Sequence, residues 1–586
     1  MALASVAFAT SFTFQLLMHL SGTGPGGDND YFRETAWAAS YTVNHFKQIP
    51  FWDPYKCGGV PLLADPQSRL LTPFFLLHLA FGPIVATNLE LTIHLAIAWA
   101  GGYVLGRLLG LGYLAAAVCA SVFPSSSWIY LHFAAGHISF VPILYLPWML
   151  SMWLLSAERR QVLWAAAGGL FCAVAFVGSG IYVSYLAAPF LASVAIMMAI
   201  VRRQVWPVLA LLLMAIFALG FSAVKLVPIL ALHISRTTAS DEIETLGMLA
   251  QCLFSRNQDL YRWLDGIQWS FFEYGAYIGP FFAGLAMLGV FTGRRRALPW
   301  LAGAAVMLAL SLGSPAWWAP WPLLHRLPIY DSVHVPSRFL IIFVMALAPL
   351  AGLGAEALCR RGRLWTTVAA VILLAGLADS WMVNRINIFH GTRVQIPGGA
   401  AESQQFRQFW SVSDIDTLPI ARSNQGALNC YEDRRLIGMD KLGLHATGYN
   451  QPGYRGEQYL LGDGSVRLGD WTPNALIFEV DVPSPTTMVV NQNYESGWRL
   501  VKGQGEIFSR GGLIGVRLPA GRQQLELAYH NPAFVLGLVI TMLTFMAMFM
   551  VWRYDIRGYY PPQRQDLFPE ASEKRVSGDQ GPLNLK

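Results

Sequence analysis

Two aspartates, Asp28 and Asp30, alternate in a short acidic segment that follows the first apolar stretch of the chain. Carboxylates at the edge of a membrane protein are costly to keep near hydrocarbon, and they are often functional. One of them could act as a general base that takes a proton from an acceptor hydroxyl, while the other orients the acceptor or a metal ion. In the structural alternative, Asp30 caps the following helix and Asp28 is solvated. The residues alone leave both interpretations open.

Four basic residues are candidates for binding a phosphate at the membrane surface: Arg338, Lys225, Arg236 and Arg69. A planar guanidinium suits this chemistry because it makes paired, charge-assisted hydrogen bonds. Arg338 opens an apolar stretch on the outer side, against the usual charge bias, which predicts an anionic partner. Lys225 ends a long apolar run, and the alternative for it is a side chain that reaches to the interface.

Glu273 lies between aromatic residues just before an apolar stretch. Either it is isolated there and has a raised pKa, or it pairs with one of the arginines. His132 and His137 flank a tight turn, and we take His137 as a candidate site residue against the alternative of a hydrogen-bonding anchor. Glu90 and His94 are one helical turn apart within an apolar stretch and are expected to hydrogen-bond within the helix bundle.

The composition identifies the class of protein that must position these residues. The 586 residues are 54% hydrophobic and only 13% charged, whereas soluble domains carry about 25% charge. The chain is therefore predicted to be a polytopic membrane protein. The net charge of +6 reflects basic residues placed by topology, and no run resembles a nucleic-acid-binding patch. We expect no nucleic-acid partner.

Twelve apolar stretches are predicted to span the membrane, since a span needs about 20 residues. They are 3–20, 84–106, 112–131, 138–156, 162–178, 181–201, 205–231, 276–292, 298–312, 338–358, 364–383 and 533–552. The first has no basic leader and no cleavage site, so we interpret it as a retained span. With twelve alternating spans the arginine clusters fall on one side, which the positive-inside rule makes cytoplasmic, together with both termini.

The domain organisation follows from these spans. Residues 1–383 form a transmembrane catalytic module with outer loops at 21–83, 232–275 and 313–337. Residues 384–530 are predicted to be a small extracytoplasmic β-rich domain, because short strands alternate with turns in its second half. The predicted strands are 475–482, 486–491, 498–501, 513–518 and 523–529. A final transmembrane helix occupies 531–556, and the polar tail 557–586 is predicted to be disordered.

The first outer loop contains two further patterns. Apolar residues from Phe32 to Phe46 recur at spacings of three and four, which predicts an amphipathic helix. The piece from Leu70 to Phe81 is too short to span and is expected to be interfacial or re-entrant. Between them, 50–61 is rich in aromatic residues, proline and glycine; its rings could stack on a sugar or pack on the membrane surface.

Six cysteines occur singly, without the spacing of a zinc site. Cys57, Cys252 and Cys430 are predicted to face the oxidising side. One disulfide among them is possible, and three free thiols are the alternative.

Five stretches together resemble a known family: G-D-N-D-Y at 27–31, Q-I-P-F-W-D-P-Y-K-C-G-G-V-P-L-L-A-D-P-Q at 48–67, F-E-Y-G-A-Y-I-G-P at 272–280, V-P-S-R-F at 335–339, and N-Y-E-S-G-W-R-L followed by L-P-A-G-R-Q-Q-L-E-L-A-Y near the end. The chain is similar to the YfhO-like branch of the GT-C membrane glycosyltransferases. The resemblance covers essentially the whole chain and implies a GT-C-like bundle of about twelve helices with a β-rich domain before the last.

The resemblance implies transfer of a hexosyl or pentosyl group, with inversion, from a polyprenyl-phosphate-linked donor to an extracytoplasmic glycan or lipid acceptor. It places the catalytic carboxylate in the first outer loop, at Asp28 or Asp30, and gives Arg338 the donor phosphate. The branch favours glutamine where this chain has Lys225, so the phosphate role of Lys225 rests on its charge alone. Some superfamily members need a divalent metal such as Mg²⁺ or Mn²⁺ and others do not; its ligands here would be the two aspartates.

The preferred interpretation is therefore a glycosyltransferase in a bacterial cytoplasmic (inner) membrane, surrounded by membrane lipids, with an extracytoplasmic active site. One alternative is a lipid-linked glycan flippase, which would need a polar pathway across the membrane; the charges instead cluster toward one face. Another is a non-catalytic scaffold of a polysaccharide assembly system, which the intact acidic segment disfavours.

Overall fold

A computed structural model of the chain describes residues 1–20, 35–232, 241–395, 405–411, 417–428 and 445–557. Several of the residues singled out above lie outside these ranges: Asp28, Asp30, Phe32, Arg236 and Cys430.

The membrane part is built from α-helices, most of them apolar. In chain order the helices before the β-rich region are α1 (Ala2–Met18), α2 (Thr35–Phe46), α3 (Phe75–Phe81), α4 (Pro83–Leu108), α5 (Tyr113–Val122), α6 (Ser127–Ala135), α7 (Leu146–Arg159), α8 (Val162–Val177), α9 (Ile181–Arg202), α10 (Trp206–Leu232), α11 (Leu246–Phe254), α12 (Gly279–Thr292), α13 (Leu298–Ser311), α14 (Pro320–Leu324), α15 (Phe339–Cys359) and α16 (Arg363–Gly391). After them come α17 (Thr417–Arg422) and, beyond the strands, α18 (Pro532–Arg557).

Eight segments of the described chain are long and apolar enough to cross a membrane: Pro83–Leu108, Tyr113–Ala135, Ile138–Arg159, Ile181–Arg202, Trp206–Leu232, Pro336–Cys359, Arg363–Gly391 and Pro532–Asp555. By helix length and composition the chain is thus a multi-pass membrane protein. The other four predicted spans correspond to the shorter apolar helices α1, α8, α12 and α13, which have 14 to 17 residues. The predicted count of twelve spans is therefore not confirmed, because these four fall short of about 20 residues.

Helix α15 lies at the centre of the bundle, where it packs against α5, α12 and α13. Its contact with α12 is backbone to backbone: a Cβ atom added at Gly289 would lie 1.8 Å from the carbonyl oxygen of Leu350, and one at Gly354 would lie 2.0 Å from that of Leu285. Only glycine permits this approach. The close packing fixes the position of α15, the helix that directly follows Arg338.

The β-rich region is a sandwich of two four-stranded antiparallel sheets that precedes the last helix. Two short pairs lie outside it: β1 (Trp52–Asp53) with β2 (Val60–Pro61), and β3 (Arg407–Phe409) with β4 (Gln425–Ala427). The sandwich strands are β5 (Gln458–Leu460), β6 (Ser465–Thr472), β7 (Ala475–Val482), β8 (Thr486–Asn493), β9 (Trp498–Lys502), β10 (Glu506–Arg510), β11 (Leu513–Leu518) and β12 (Gly521–Tyr529). Their order is β10-β11-β8-β5 in one sheet and β6-β7-β12-β9 in the other.

The first outer loop is docked into this sandwich. Trp52 is fully buried in the sandwich core, its Nε1 donates to Oε1 of Gln492 at 2.8 Å, and its ring lies 5.4 Å from that of Trp498 and 4.9 Å from that of Tyr529. Neither use expected for the aromatic loop, stacking on a sugar or on the membrane, applies to Trp52. Its side chain instead closes the core of a domain distant in sequence.

The same loop contains Cys57, one of the three cysteines for which the sequence left a disulfide or free thiols open. Cys57 is disulfide-bonded, whereas Cys252 is a buried free thiol. The peptide groups around Cys57 are also held by Asn493, whose Nδ2 donates to the carbonyl oxygens of Cys57 at 2.7 Å and Gly59 at 3.1 Å. The loop is therefore joined to the β-sandwich by hydrogen bonds as well as by Trp52.

Candidate functional site

A buried ion pair between Arg338 and Glu273 forms the centre of the candidate site. Nε of Arg338 donates to Oε2 of Glu273 at 2.7 Å and Nη2 donates to Oε1 at 2.6 Å. Burial alone would raise the pKa of Glu273, but the charge and hydrogen bonds of Arg338 outweigh it and lower this pKa to about 2. Of the two possibilities for Glu273, the structure therefore has the paired one. It also provides the anionic partner expected for Arg338.

Aromatic side chains enclose the guanidinium. Its Cζ lies 5.0 Å from the ring centre of Phe140 and 5.4 Å from that of Tyr182, distances typical of cation–π contacts. The hydroxyl of Tyr185 is buried close to the guanidinium. Tyr182 and Tyr185 are three residues apart on α9, so one helical face supplies both.

Two histidines extend the cluster on the side of Glu273. Nε2 of His132 lies 3.8 Å from Oε2 of Glu273, and Nδ1 of His132 is 3.1 Å from Nδ1 of His137. Nε2 of His132 is buried without a hydrogen-bond partner among the residues described. A buried ion pair bordered by this unsatisfied nitrogen is the arrangement that a further polar group, such as a phosphate oxygen or a water, would complete.

Residues 65–69, here called the bridging segment, connect this cluster to Lys225. Nζ of Lys225 donates to the carbonyl oxygen of Ser68 at 2.6 Å. The neighbouring Gln67 donates from Nε2 to the Tyr182 hydroxyl at 2.9 Å, and its carbonyl oxygen accepts from Ser179. Lys225 therefore contacts this segment directly, and Arg338 is connected to it through Tyr182.

Arg69, at the end of the bridging segment, points into a separate cluster. Its side chain is fully buried and pairs with Glu90 of α4, which also lies 3.6 Å from Nε2 of His78. Nε and Nη1 of Arg69 have no partner within the described ranges. Nδ1 of His94 lies 2.9 Å from the carbonyl oxygen of Glu90, the hydrogen bonding within the bundle expected for this pair.

The acidic segment itself lies outside the described residues, but both of its flanks contact α4. The carbonyl oxygen of Leu20 accepts from Nδ2 of Asn88 at 3.4 Å, and Nε1 of Trp37 donates to the Thr87 hydroxyl at 3.3 Å. These positions precede Glu90, the partner of Arg69, by no more than three residues.

The structure thus brings Arg338, Glu273 and His137 together and connects Lys225 to them through the bridging segment. Arg69 adjoins that segment but pairs elsewhere. Sequence reasoning missed Gln67, Tyr182, Tyr185 and Phe140. The signal for the two tyrosines was present, since a three-residue spacing at a helix end predicts one shared face.

A carboxyl pair in the loop after α10 lies beside this site. Glu242 and Glu244 are both buried, and the hydroxyl of Tyr274, the residue after Glu273, donates to Glu242. Burial, and secondarily the charge of Glu242, raises the pKa of Glu244 to about 9; burial raises that of Glu242 to about 7. Among the described residues no group of three or more His, Cys, Asp or Glu side chains is arranged to hold a metal ion.

Several solved structures align with the chain at low sequence identity. No family model and no curated protein matches the chain. Among solved structures, the arabinofuranosyltransferase AftD from Mycobacteria aligns at 17% identity and a TM-score of 0.41 over 66% of this chain and 27% of its own. The oligosaccharyltransferase AglB of Archaeoglobus fulgidus, solved with a dolichol-phosphate, aligns at 11% and 0.41 over 73% and 64%. ArnT from Cupriavidus metallidurans, bound to undecaprenyl phosphate, aligns at 13% and 0.41 over 72% and 84%.

This chain therefore spans about a quarter of AftD and less than two thirds of AglB. Likenesses at these TM-scores and identities do not assign the fold or the activity.

Proposed function

We propose that the protein is an inverting glycosyltransferase that moves a sugar from a polyprenyl-phosphate carrier to an acceptor on the extracytoplasmic side of the membrane. One observation carries the proposal: three of the motif stretches, far apart in sequence, meet at Arg338. Stretch 272–280 supplies Glu273, stretch 335–339 supplies Arg338, and stretch 48–67 supplies Gln67, which reaches the cluster through Tyr182.

Glycosyl transfer from a carrier phosphate is favoured by a fixed cation beside the leaving group. When the acceptor oxygen bonds to the anomeric carbon, the bond from that carbon to the carrier phosphate breaks and the phosphate keeps the electron pair. Preorganised positive charge stabilises this developing negative charge. Glu273 binds the Nε and Nη2 side of Arg338 and the aromatic rings cover its faces, so the guanidinium is held in one orientation.

The acceptor proton needs a base, and we assign this role to Asp28 or Asp30. The flanks of their segment lie at the start of α4, beside the Arg69–Glu90 pair that anchors the bridging segment. The charge bias of the loops puts the same end of the bundle on the extracytoplasmic side. We therefore propose that the base and the phosphate-binding cation act on one bound donor–acceptor pair at this end of the bundle.

The test uses purified protein, a polyprenyl-phosphate-linked sugar and a glycan acceptor, with release of polyprenyl phosphate as the readout. We expect Asp28→Asn or Asp30→Asn to abolish release and Arg338→Gln to reduce it strongly. Asp463→Asn, at an exposed aspartate of the β-sandwich, is the matched control and should turn over like the wild type.

Full turnover in both aspartate variants would remove the base assignment. Full turnover in Arg338→Gln would remove the phosphate assignment. Movement of a labelled lipid across liposomes with no glycosylated product would replace transfer by lipid flipping.

A further inference from the structure

The outer loop between α13 and α15 carries an apolar surface that no part of the described chain covers. We call residues 315–331 the strap. Five large apolar side chains are exposed on it, at 74% for Trp317, 65% for Trp318, 45% for Leu323, 51% for Leu327 and 60% for Ile329. Single apolar residues are normal on a protein surface, but five large ones exposed within 317–329 indicate an interaction site.

The opposite side of the strap is fixed to the bundle. Trp321 is fully buried with its ring 5.8 Å from that of Phe339. Nε2 of His325 lies 2.9 Å from the carbonyl oxygen of Val333, and the Tyr330 hydroxyl donates to the carbonyl oxygen of Tyr185 at 2.9 Å. One side of the strap is therefore bound to the helix bundle, and the other side, which carries the exposed apolar side chains, faces outward.

The backbone at Ile329 supports this orientation. Its φ is 77°, a value that β-branched residues rarely adopt. Such strain persists only where the surrounding contacts impose it. Here it keeps an apolar side chain pointing away from the bundle.

The length of α13 indicates what covers the outward side. This helix follows three arginines, Arg294–Arg296, which suit the cytoplasmic boundary. Its 14 residues rise only about 21 Å, whereas the hydrocarbon layer is about 30 Å thick. Residues that follow Ser311 must then still lie at membrane depth, so the strap begins inside the outer leaflet.

We infer that the strap lies in the outer leaflet of the bilayer, with its five exposed apolar side chains among the acyl chains just below the headgroups. Tryptophan pairs and aliphatic side chains are suited to this boundary. Arg326, exposed between them, is placed to extend its charged end to the lipid phosphates. The strap is thus a membrane-inserted segment that ends a few residues before Arg338.

Spin labels test the depth of the strap in proteoliposomes. Leu327→Cys and Trp318→Cys are labelled with a nitroxide in a chain where the half-buried free thiols Cys172 and Cys359 are replaced by alanine. Collision with oxygen, which concentrates in lipid, is compared with collision with a water-soluble nickel chelate. Leu219→Cys on α10 is the lipid-facing control and Val501→Cys on the β-sandwich is the water-facing control, both at exposed positions.

We expect the oxygen-to-nickel ratio at both strap positions to exceed that at Val501 several-fold and to stay below that at Leu219, which lies at the middle of α10 and therefore deeper in the bilayer. A label at Arg326→Cys, which removes no apolar side chain, should give a ratio between that of the other two strap positions and that of Val501. Strap ratios equal to the Val501 ratio would overturn the inference. The measurement needs neither donor nor acceptor, so it stands or fails independently of glycosyl transfer.

Discussion

Replacing Glu273 by glutamine is expected to destabilise the protein by about 3 kcal/mol. Glu273 is buried, and its pKa of about 2 against an ordinary value of 4.5 corresponds to about 3 kcal/mol in favour of the charged form. Breaking one side of a buried ion pair typically costs about 3–5 kcal/mol, because the other charge is left without compensation. In Glu273→Gln that uncompensated charge is Arg338.

The assay is the free energy of unfolding of the purified protein by intrinsic fluorescence. Glu506→Gln is the matched control, since Glu506 pairs with Arg517 on the exposed surface of the β-sandwich and such pairs contribute about 0–1 kcal/mol. The double variant Glu273→Gln with Arg338→Met should be more stable than Glu273→Gln alone. The reasoning is refuted if Glu273→Gln loses no more than Glu506→Gln, or if the two substitutions at the pair are simply additive.

The stability that the Glu273–Arg338 pair contributes should also depend on pH, in a direction that the lowered pKa of Glu273 defines. A carboxylate whose pKa is lowered in the folded state contributes stability above its unfolded pKa and loses it as the pH falls. The contribution of Glu273 should therefore be complete above about pH 4.5 and decline toward pH 2. Glu273→Gln should lack this part of the acid transition.

Three further outcomes are expected. Trp52→Ala, which empties a fully buried site in the sandwich core, should cost about 3–5 kcal/mol and make residues 445–530 sensitive to protease at temperatures where the wild type resists. Reduction of the disulfide at Cys57 should lower the thermal midpoint, whereas Cys252→Ala, at a free thiol, should leave the response to reductant unchanged. Burial raises the pKa of Glu244 to about 9. The contribution of Glu244 to stability is therefore complete below about pH 4.5 and is lost as the pH rises through 9. Glu244→Gln should flatten that decline in a pH series of thermal midpoints.

Part of this fold can be predicted from local pattern. Strands β7 and β11 coincide with the predicted 475–482 and 513–518, because in β7 the buried residues alternate with more exposed ones as a half-buried strand requires. The strands that the pattern missed, β5, β6 and β10, all lie at sheet edges. Edge strands carry polar residues on exposed faces, so their alternation is weak.

In the helix bundle, too, local pattern predicts the elements but not all of their boundaries. The twelve apolar stretches all correspond to helices in the described chain, yet four of those helices are shorter than a full crossing. The amphipathic pattern from Phe32 correctly predicted α2, in which Ala36 and Ala39 are buried. A hydropathy pattern locates apolar helices, but it does not reveal where packing and loops end them.

For the candidate site, the charge argument predicted that Arg338 has an anionic partner and left pairing open for Glu273. It could not join the two, because 65 residues separate them and the pairing arises only from tertiary packing. The place of Gln67 in the cluster was also invisible, since it depends on how the bridging segment lies against α9.

The burial of Trp52 has a consequence for biosynthesis. Its hydrogen-bond partner Gln492 is 440 positions later in the chain. At elongation rates of roughly 5–20 residues per second the loop waits about 20–90 s before the ribosome supplies the rest of its core. During that interval a nascent chain displays an unsheltered indole on the far side of the membrane. We expect the yield of mature protein to depend on factors that hold this loop until translation is nearly complete.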